Sequence, residues 1–305
     1  MVEEERREAS VPAATRAQGS ADAEAGRRGI RLMVLAMASF VVNDALVKFV
    51  SQSLPAGQLI FVRGLMATAL VLGVVHMTGT RLQSRRLAGG WVAVRALFDA
   101  LATLTYLVSL FHLPIANATA INMATPLVIT LIAVAWLRHR VGPRRWLAIA
   151  AGFAGVLLVI QPRAEGFNAF AWLCLFGTVL HALRDLVTLR IPRDVPSIGV
   201  TLATAVLVTV LAGALSLVQG WVPLAAPQLA LLAAAAVFLA VGYQLIIRAT
   251  RTGDLSLVAP FRYSGLLVAV ALGWLVWGEV PNALAWAGIA LVLGAGLYVL
   301  RHPAG

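Results

Sequence analysis

The chain has 305 residues, 60% of them hydrophobic and 12% charged, with a formal charge of +11. Soluble domains carry about 25% charged residues, so this composition excludes an ordinary water-soluble enzyme and a disordered chain. Cys174 is the only cysteine, which excludes an internal disulfide scaffold and a thiolate metal cluster.

Residues 1–28 are polar, of mixed charge and rich in Ala, Gly and Ser. They lack the apolar run of a signal peptide and are expected to form a disordered cytoplasmic tail. Ten apolar runs follow, at 30–50, 55–76, 91–110, 114–137, 146–160, 167–189, 198–217, 229–247, 255–277 and 283–300. A helix crosses a bilayer in about 20 apolar residues. The runs are too long for strands and do not alternate with the period of a membrane barrel. Many are apolar all round, where a soluble amphipathic helix keeps a polar stripe. The expected fold is therefore an all-α integral membrane protein with ten transmembrane helices.

The basic residues set the orientation. With residue 1 inside, 18 of the 24 Lys and Arg fall on inner segments, Arg163 alone falls outside, and five lie within spans. Such an asymmetry places both termini in the cytoplasm, as for a bacterial inner membrane, and removes the need for a nucleic-acid partner. Trp91, Trp136 and Trp146 lie at inner span ends, and Trp172, Trp221, Trp277 and Trp286 near outer ends, as two interfacial belts.

Ten spans divide into two copies of five. Asp44 and Asp185 are 141 residues apart, as are Pro55 and Pro196, and a spacing of 139 aligns 114–160 with 253–299. Five is odd, so the second copy is inserted in the opposite sense, an arrangement that puts a substrate site near the mid-membrane where the halves meet. The expected units are 29–163 and 164–301.

Several motifs stand on this frame: NDALVK at 43–48, Arg63 eight residues after Pro55, ALRDLVTLR at 182–190, and the Trp277-Gly278-Glu279 turn. On these residues the chain resembles the EamA family of the drug/metabolite transporter superfamily. The resemblance implies two EamA repeats and a central cavity lined by spans one, three, four, six, eight and nine. It implies alternating access first for export of an amino acid or other metabolite. Members often carry a Gly-Glu turn after span four too; here Arg140 stands in place of that glutamate.

Ionisable groups inside spans cost from about 2.5 kcal/mol each and usually face a cavity or a partner. Asp44 and Lys48 are spaced to pair on one helix face, as are Arg95 and Asp99. Arg184 and Asp185 are adjacent and expected to pair across helices. Arg63 and Arg262 have no acidic neighbour on their own helices. Five cations face three aspartates, with Glu279 at the outer surface free to offset one, so a cationic cavity for a polar, zwitterionic or anionic metabolite is expected. Lys48 also lies within a turn of the outer surface, where its stem can snorkel.

Pro126 and Pro260 interrupt spans four and nine, each freeing a backbone carbonyl. Asn122, Tyr263 and Ser264 flank those breaks. Tyr106 and Tyr243 occupy equivalent spans and can stack on a ring or bond a polar substrate. Arg63, Arg95, Tyr106, Asn122, Tyr243, Arg262 and Tyr263 are thus the candidate substrate contacts. Asp44, Lys48, Asp99, Arg184, Asp185 and Glu279 are candidate charge pairs or proton carriers, Glu279 being the least constrained by its own helix. His181 reads as a packed imidazole. No cofactor, metal or catalytic motif is present. The expected partners are a small-molecule substrate, the lipid bilayer and a second copy as a homodimer. Uptake of a vitamin or nucleoside-like metabolite is the alternative, and a lipid-modifying membrane enzyme the alternative from another class.

Overall fold

The computed structural model describes residues 13–80, 87, 89–137, 142–161, 169–192, 194–252 and 255–301. Among them every regular element is a helix, and there is no strand. The helices are α1 (Ala13–Val50), α2 (Ala56–Thr78), α3 (Gly90–His112), α4 (Ile115–Asn122), α5 (Thr125–Leu137), α6 (Pro143–Ile160), α7 (Ala169–Thr188), α8 (Ser197–Gln219), α9 (Ala226–Thr252), α10 (Leu255–Val258), α11 (Ser264–Trp277) and α12 (Ala283–Arg301). α4 and α5 form one broken span, and α10 and α11, joined by a 3-10 turn over Ala259–Tyr263, form another. Ten spans result. Eight are long enough to cross a membrane by length and composition, and two shorter apolar helices lie at Trp146–Ile160 and Ala283–Val299. Large apolar side chains point outward, among them Leu217, Leu267, Trp274 and Leu275, as a lipid-facing surface requires.

Helix α1 begins at Ala13, so residues 13–28 are helical where the sequence leads one to expect a disordered tail. The segment AATRAQGSADAEAGRR has no proline after residue 12 and is rich in Ala and in straight-chain charged residues, which continue a helix well. Residues 1–12 lie outside the described part.

Both proline breaks occur where expected. Pro126 has no N–H for the Asn122 carbonyl, and the Thr125 hydroxyl donates to that carbonyl at 2.6 Å instead. Pro260 lies in the 3-10 turn.

The packing is two-fold. α1 packs on α9 and its repeat equivalent α7 packs on α3; α2 meets α8, and α6 meets α12. Each pairing maps onto itself or another when the two halves are exchanged. On the α2–α8 seam, the Thr68 and Thr209 hydroxyls are 3.4 Å apart, at a sequence spacing of 141. At the α6–α12 crossing a Cβ on Gly155 would stand 2.7 Å from the Gly288 carbonyl, so both helices approach backbone to backbone. Of the other small residues there, Gly152 meets Leu127 and Ala295, whereas Gly294 faces open space.

Candidate functional site

The polar side chains of the spans collect in three groups. The face opposite the chain termini, here called distal, holds the first. Lys48 donates to Glu279 Oε1 at 2.6 Å and to the Leu113 carbonyl at 2.6 Å. Its ammonium also lies 4.9 Å from the Trp277 ring centroid. Glu279 Oε2 accepts the Ile115 N–H at 3.0 Å, a carboxylate at the start of α4 where the helix dipole favours it. Gly278 makes this geometry available: at φ 66° it turns the chain back, its N–H bonding the Trp274 carbonyl as in an αL cap and the Glu279 N–H bonding the Gly273 carbonyl.

Other bonds stitch the distal end. Gln58 donates to the Val222 carbonyl at 2.7 Å and accepts the Val222 N–H at 2.9 Å. Gln219 accepts the Gly57 N–H, and Gln161 and Asn282 exchange bonds at 2.7 and 3.0 Å. A cavity of about 280 Å³ beside Glu279 is lined by Asn117, Gln161 and Asn282 among others.

The second group joins α1, α2 and α3. Tyr106 donates to Asp44 Oδ2 at 2.9 Å, the Asn43 amide donates to Asp44 Oδ1 at 2.9 Å, and Arg63 Nη1 donates to Asn43 Oδ1 at 3.1 Å. Arg63 is buried, and its Nε–H has no hydrogen-bond partner among the described residues.

The third group lies toward the terminal face, between α3, α7 and α8. Asp99 accepts Arg95 at 3.0 Å and Arg184 at 2.9 Å. Arg184 also bonds Asp185 at 2.8 Å, and Arg95 reaches Thr204 at 2.7 Å. His181 shares a hydrogen bond of 2.8 Å with Asn122 Oδ1. Tyr243, 42% exposed and edge-on to Phe40 at 5.2 Å, lies within electrostatic reach of Asp99, Arg184, Arg95 and Arg63. Arg262 is exposed and within such reach of Asp185 and Arg184.

The pattern of the EamA-like transporter family matches residues 27–161 and again 169–301. The chain belongs to the EamA-like transporter family. Among its relatives, a riboflavin transporter of Rhizobium johnstonii is 33% identical over 68% of this chain and 69% of its own length. The pseudopaline exporter CntI of Pseudomonas aeruginosa is 27% identical over 92% of this chain and 98% of its own. An S-adenosylmethionine uptake transporter of Rickettsia bellii is 23% identical over 89% and 93%. The two family matches coincide with the two halves of the helical bundle, and this EamA protein is a multi-pass membrane transporter.

Several pairings in this EamA chain differ from those its spacing suggests. Lys48 is not paired with Asp44; it bonds Glu279, and Asp44 bonds Tyr106 and Asn43. Glu279 is therefore held by a cation from another span. Arg184 pairs across helices with Asp99 but also with its neighbour Asp185, because its long stem swings the guanidinium between them. Tyr263 is buried with its hydroxyl against Gly296 of α12 rather than joined to these groups. Arg140 lies outside the described residues. Sequence reading passed over Asn43 as the link between Asp44 and Arg63, although it stands inside the NDALVK motif. It also passed over Thr188, Thr204, Gln58 and Gln219; isolated polar residues in apolar runs were the available signal.

Proposed function

We propose that this transporter carries a small, polar, ring-bearing metabolite of the riboflavin or nucleoside-like kind. The supporting observation is Tyr243: a half-exposed aromatic ring, edge-on to Phe40, within electrostatic reach of Arg63, Arg95, Asp99 and Arg184. A planar ring stacks on such a surface, while the surrounding guanidinium and carboxylate groups take its carbonyl and N–H edges. The riboflavin transporter among the relatives carries such a ring. On this reading the protein is a transporter and not an enzyme, and its cargo crosses chemically unchanged.

The same reading places the chain in the cytoplasmic membrane with both termini inside. The 18-to-1 distribution of basic residues supports it. The distal face is then the outer face, and the bundle is tied shut on that side. The units 29–163 and 164–301 each supply half of the cavity.

A second reading is favoured by Arg262, which is exposed and whose side chain makes no hydrogen bond among the described residues. With Lys48 and Glu279 neutralising each other, Arg63, Arg95, Arg184 and Arg262 outnumber Asp44, Asp99 and Asp185 by one charge. An anionic or zwitterionic substrate supplies the missing charge, and export, as named for CntI, is then the direction. Sealed liposomes containing the purified chain decide between them. Riboflavin accumulation that a Tyr243→Ala change weakens supports the first reading. Transport of carboxylate-bearing metabolites alone, sensitive to Arg262→Gln, supports the second. Chemical alteration of the cargo refutes both.

A further inference from the structure

Asp44, Asp99, Asp185 and Glu279 are the carboxylates of the three polar groups, and their surroundings differ in one respect. Asp99 touches Arg95 and Arg184, Asp185 touches Arg184, and Glu279 touches Lys48. Asp44 alone of the four makes no ion pair among the described residues. Its two oxygens accept from the Tyr106 hydroxyl and the Asn43 amide. Arg63 is held one residue away by Asn43. Lys48, one turn further along α1, is engaged at the distal face. His181 of α7 faces the Tyr106 ring at 6.3 Å and bonds Asn122.

Protonating a carboxylate that touches a cation strands a buried positive charge. Asp44 touches none: Arg63 stands behind Asn43, so protonating Asp44 breaks no direct ion pair and weakens only the longer-range balance with Arg63. Once protonated it donates its new O–H to the Tyr106 oxygen, which turns from donor to acceptor, while the Asn43 amide keeps its bond to Oδ1. Asp44 is also partly exposed, so water reaches it.

We propose that Asp44 is the residue at which this transporter takes up and releases a proton during its cycle, and that proton and substrate travel together. The proton comes from water on one face and returns to water on the other. The coupling follows from Arg63, whose buried Nε–H has no hydrogen-bond partner among the described residues. Neutral Asp44 leaves Arg63 without a counter-charge until a substrate oxygen, carbonyl or carboxylate, accepts from that Nε–H. Binding of each then favours binding of the other. The coupling rests on the transport reading of the same cavity; the proton site itself does not depend on the substrate.

Two measurements on the full chain in liposomes test it. Infrared difference spectra over a pH series should show the carbonyl stretch of a protonated carboxylic acid. That band should vanish in Asp44→Asn, move in frequency in Asp44→Glu and persist in Glu279→Gln. A band that survives Asp44→Asn, or that Glu279→Gln removes, overturns the assignment without reference to any substrate. With riboflavin as the probe, an acid exterior should drive accumulation in the parent protein. Asp44→Asn, shown to be folded by a thermal unfolding midpoint in detergent close to the parent's, should no longer accumulate it. Gradient-driven accumulation by Asp44→Asn overturns the coupling. A parent protein that moves no riboflavin refutes the substrate reading instead, and the infrared result still decides the proton site.

Discussion

Replacing Lys48 by Met keeps the apolar stem and removes the ammonium that ties α1 to two distal turns. That ammonium makes two bonds of 2.6 Å, one to a carboxylate, with side-chain exposures of 7% for Lys48 and 23% for Glu279. Charge-assisted hydrogen bonds contribute about 1.5–3 kcal/mol each, and water at the Glu279 carboxylate reduces the total to about 2–3 kcal/mol. These contacts belong to the distal-closed arrangement, so their loss shifts the closed-to-open ratio by roughly 30- to 140-fold, at 1.4 kcal/mol per tenfold. The assay is labelling of a single cysteine. With Cys174→Ser removing the native thiol, Leu113→Cys places a reporter at a turn where Leu113 is now buried. A membrane-impermeant maleimide added on the distal side should react much faster when Lys48→Met is present. Equal labelling rates with and without Lys48→Met would falsify the claim that this contact holds the distal end shut.

Three further outcomes are expected. Gly155→Val forces α6 and α12 apart, because even a Cβ would stand 2.7 Å from the Gly288 carbonyl; thermal unfolding in detergent should report a loss of about 1–3 kcal/mol. Arg184→Gln deprives Asp99 and Asp185 of a shared cation at once and should destabilise by about 1–3 kcal/mol, with Asp99→Asn in the same chain costing less than the two changes summed. Tyr243→Ala should raise the riboflavin KM about tenfold through loss of roughly 1.4 kcal/mol of stacking, whereas Tyr243→Phe should leave it unchanged; equal effects of the two would show that the hydroxyl, not the ring, makes the contact.

The spans were legible because apolar run length is a local property, and the breaks at Pro126 and Pro260 because a missing N–H acts within one turn. The Arg95–Asp99 pair was legible for the same reason: spacing of four on one helix puts both groups on one face. Lys48 shows where that logic ends. It has Asp44 at the same spacing but bonds Glu279, 231 residues away. Helical spacing states which groups can meet; the packing of α1 against the distal turns states which meeting prevails. Tyr263 makes the same point, since Gly296 on α12 leaves room for its hydroxyl and no feature of its own segment announces that neighbour.

The distribution of charge over the two-fold frame makes the ties at its two ends differ. Two identical inverted repeats would make the distal-closed and terminal-closed arrangements equal in energy, since each maps onto the other. The helices keep that equivalence, with α1 on α9 mirrored by α7 on α3. The charged residues break it. At the repeat spacing of 141, the position equivalent to Lys48 is Leu189, and at 139 the position equivalent to Glu279 is Arg140. Leu189 is exposed and cannot donate to a carboxylate, and an arginine in place of Glu279 offers no carboxylate. The latch therefore has no mirror image at the terminal face, which is tied instead by the Arg95–Asp99–Arg184–Asp185 network, so two different sets of contacts fix the energies of the two arrangements. A substrate that favours the opposite arrangement must supply at least that difference through contacts it makes only there, and Arg63, with an N–H still to satisfy, is the group best placed to provide one.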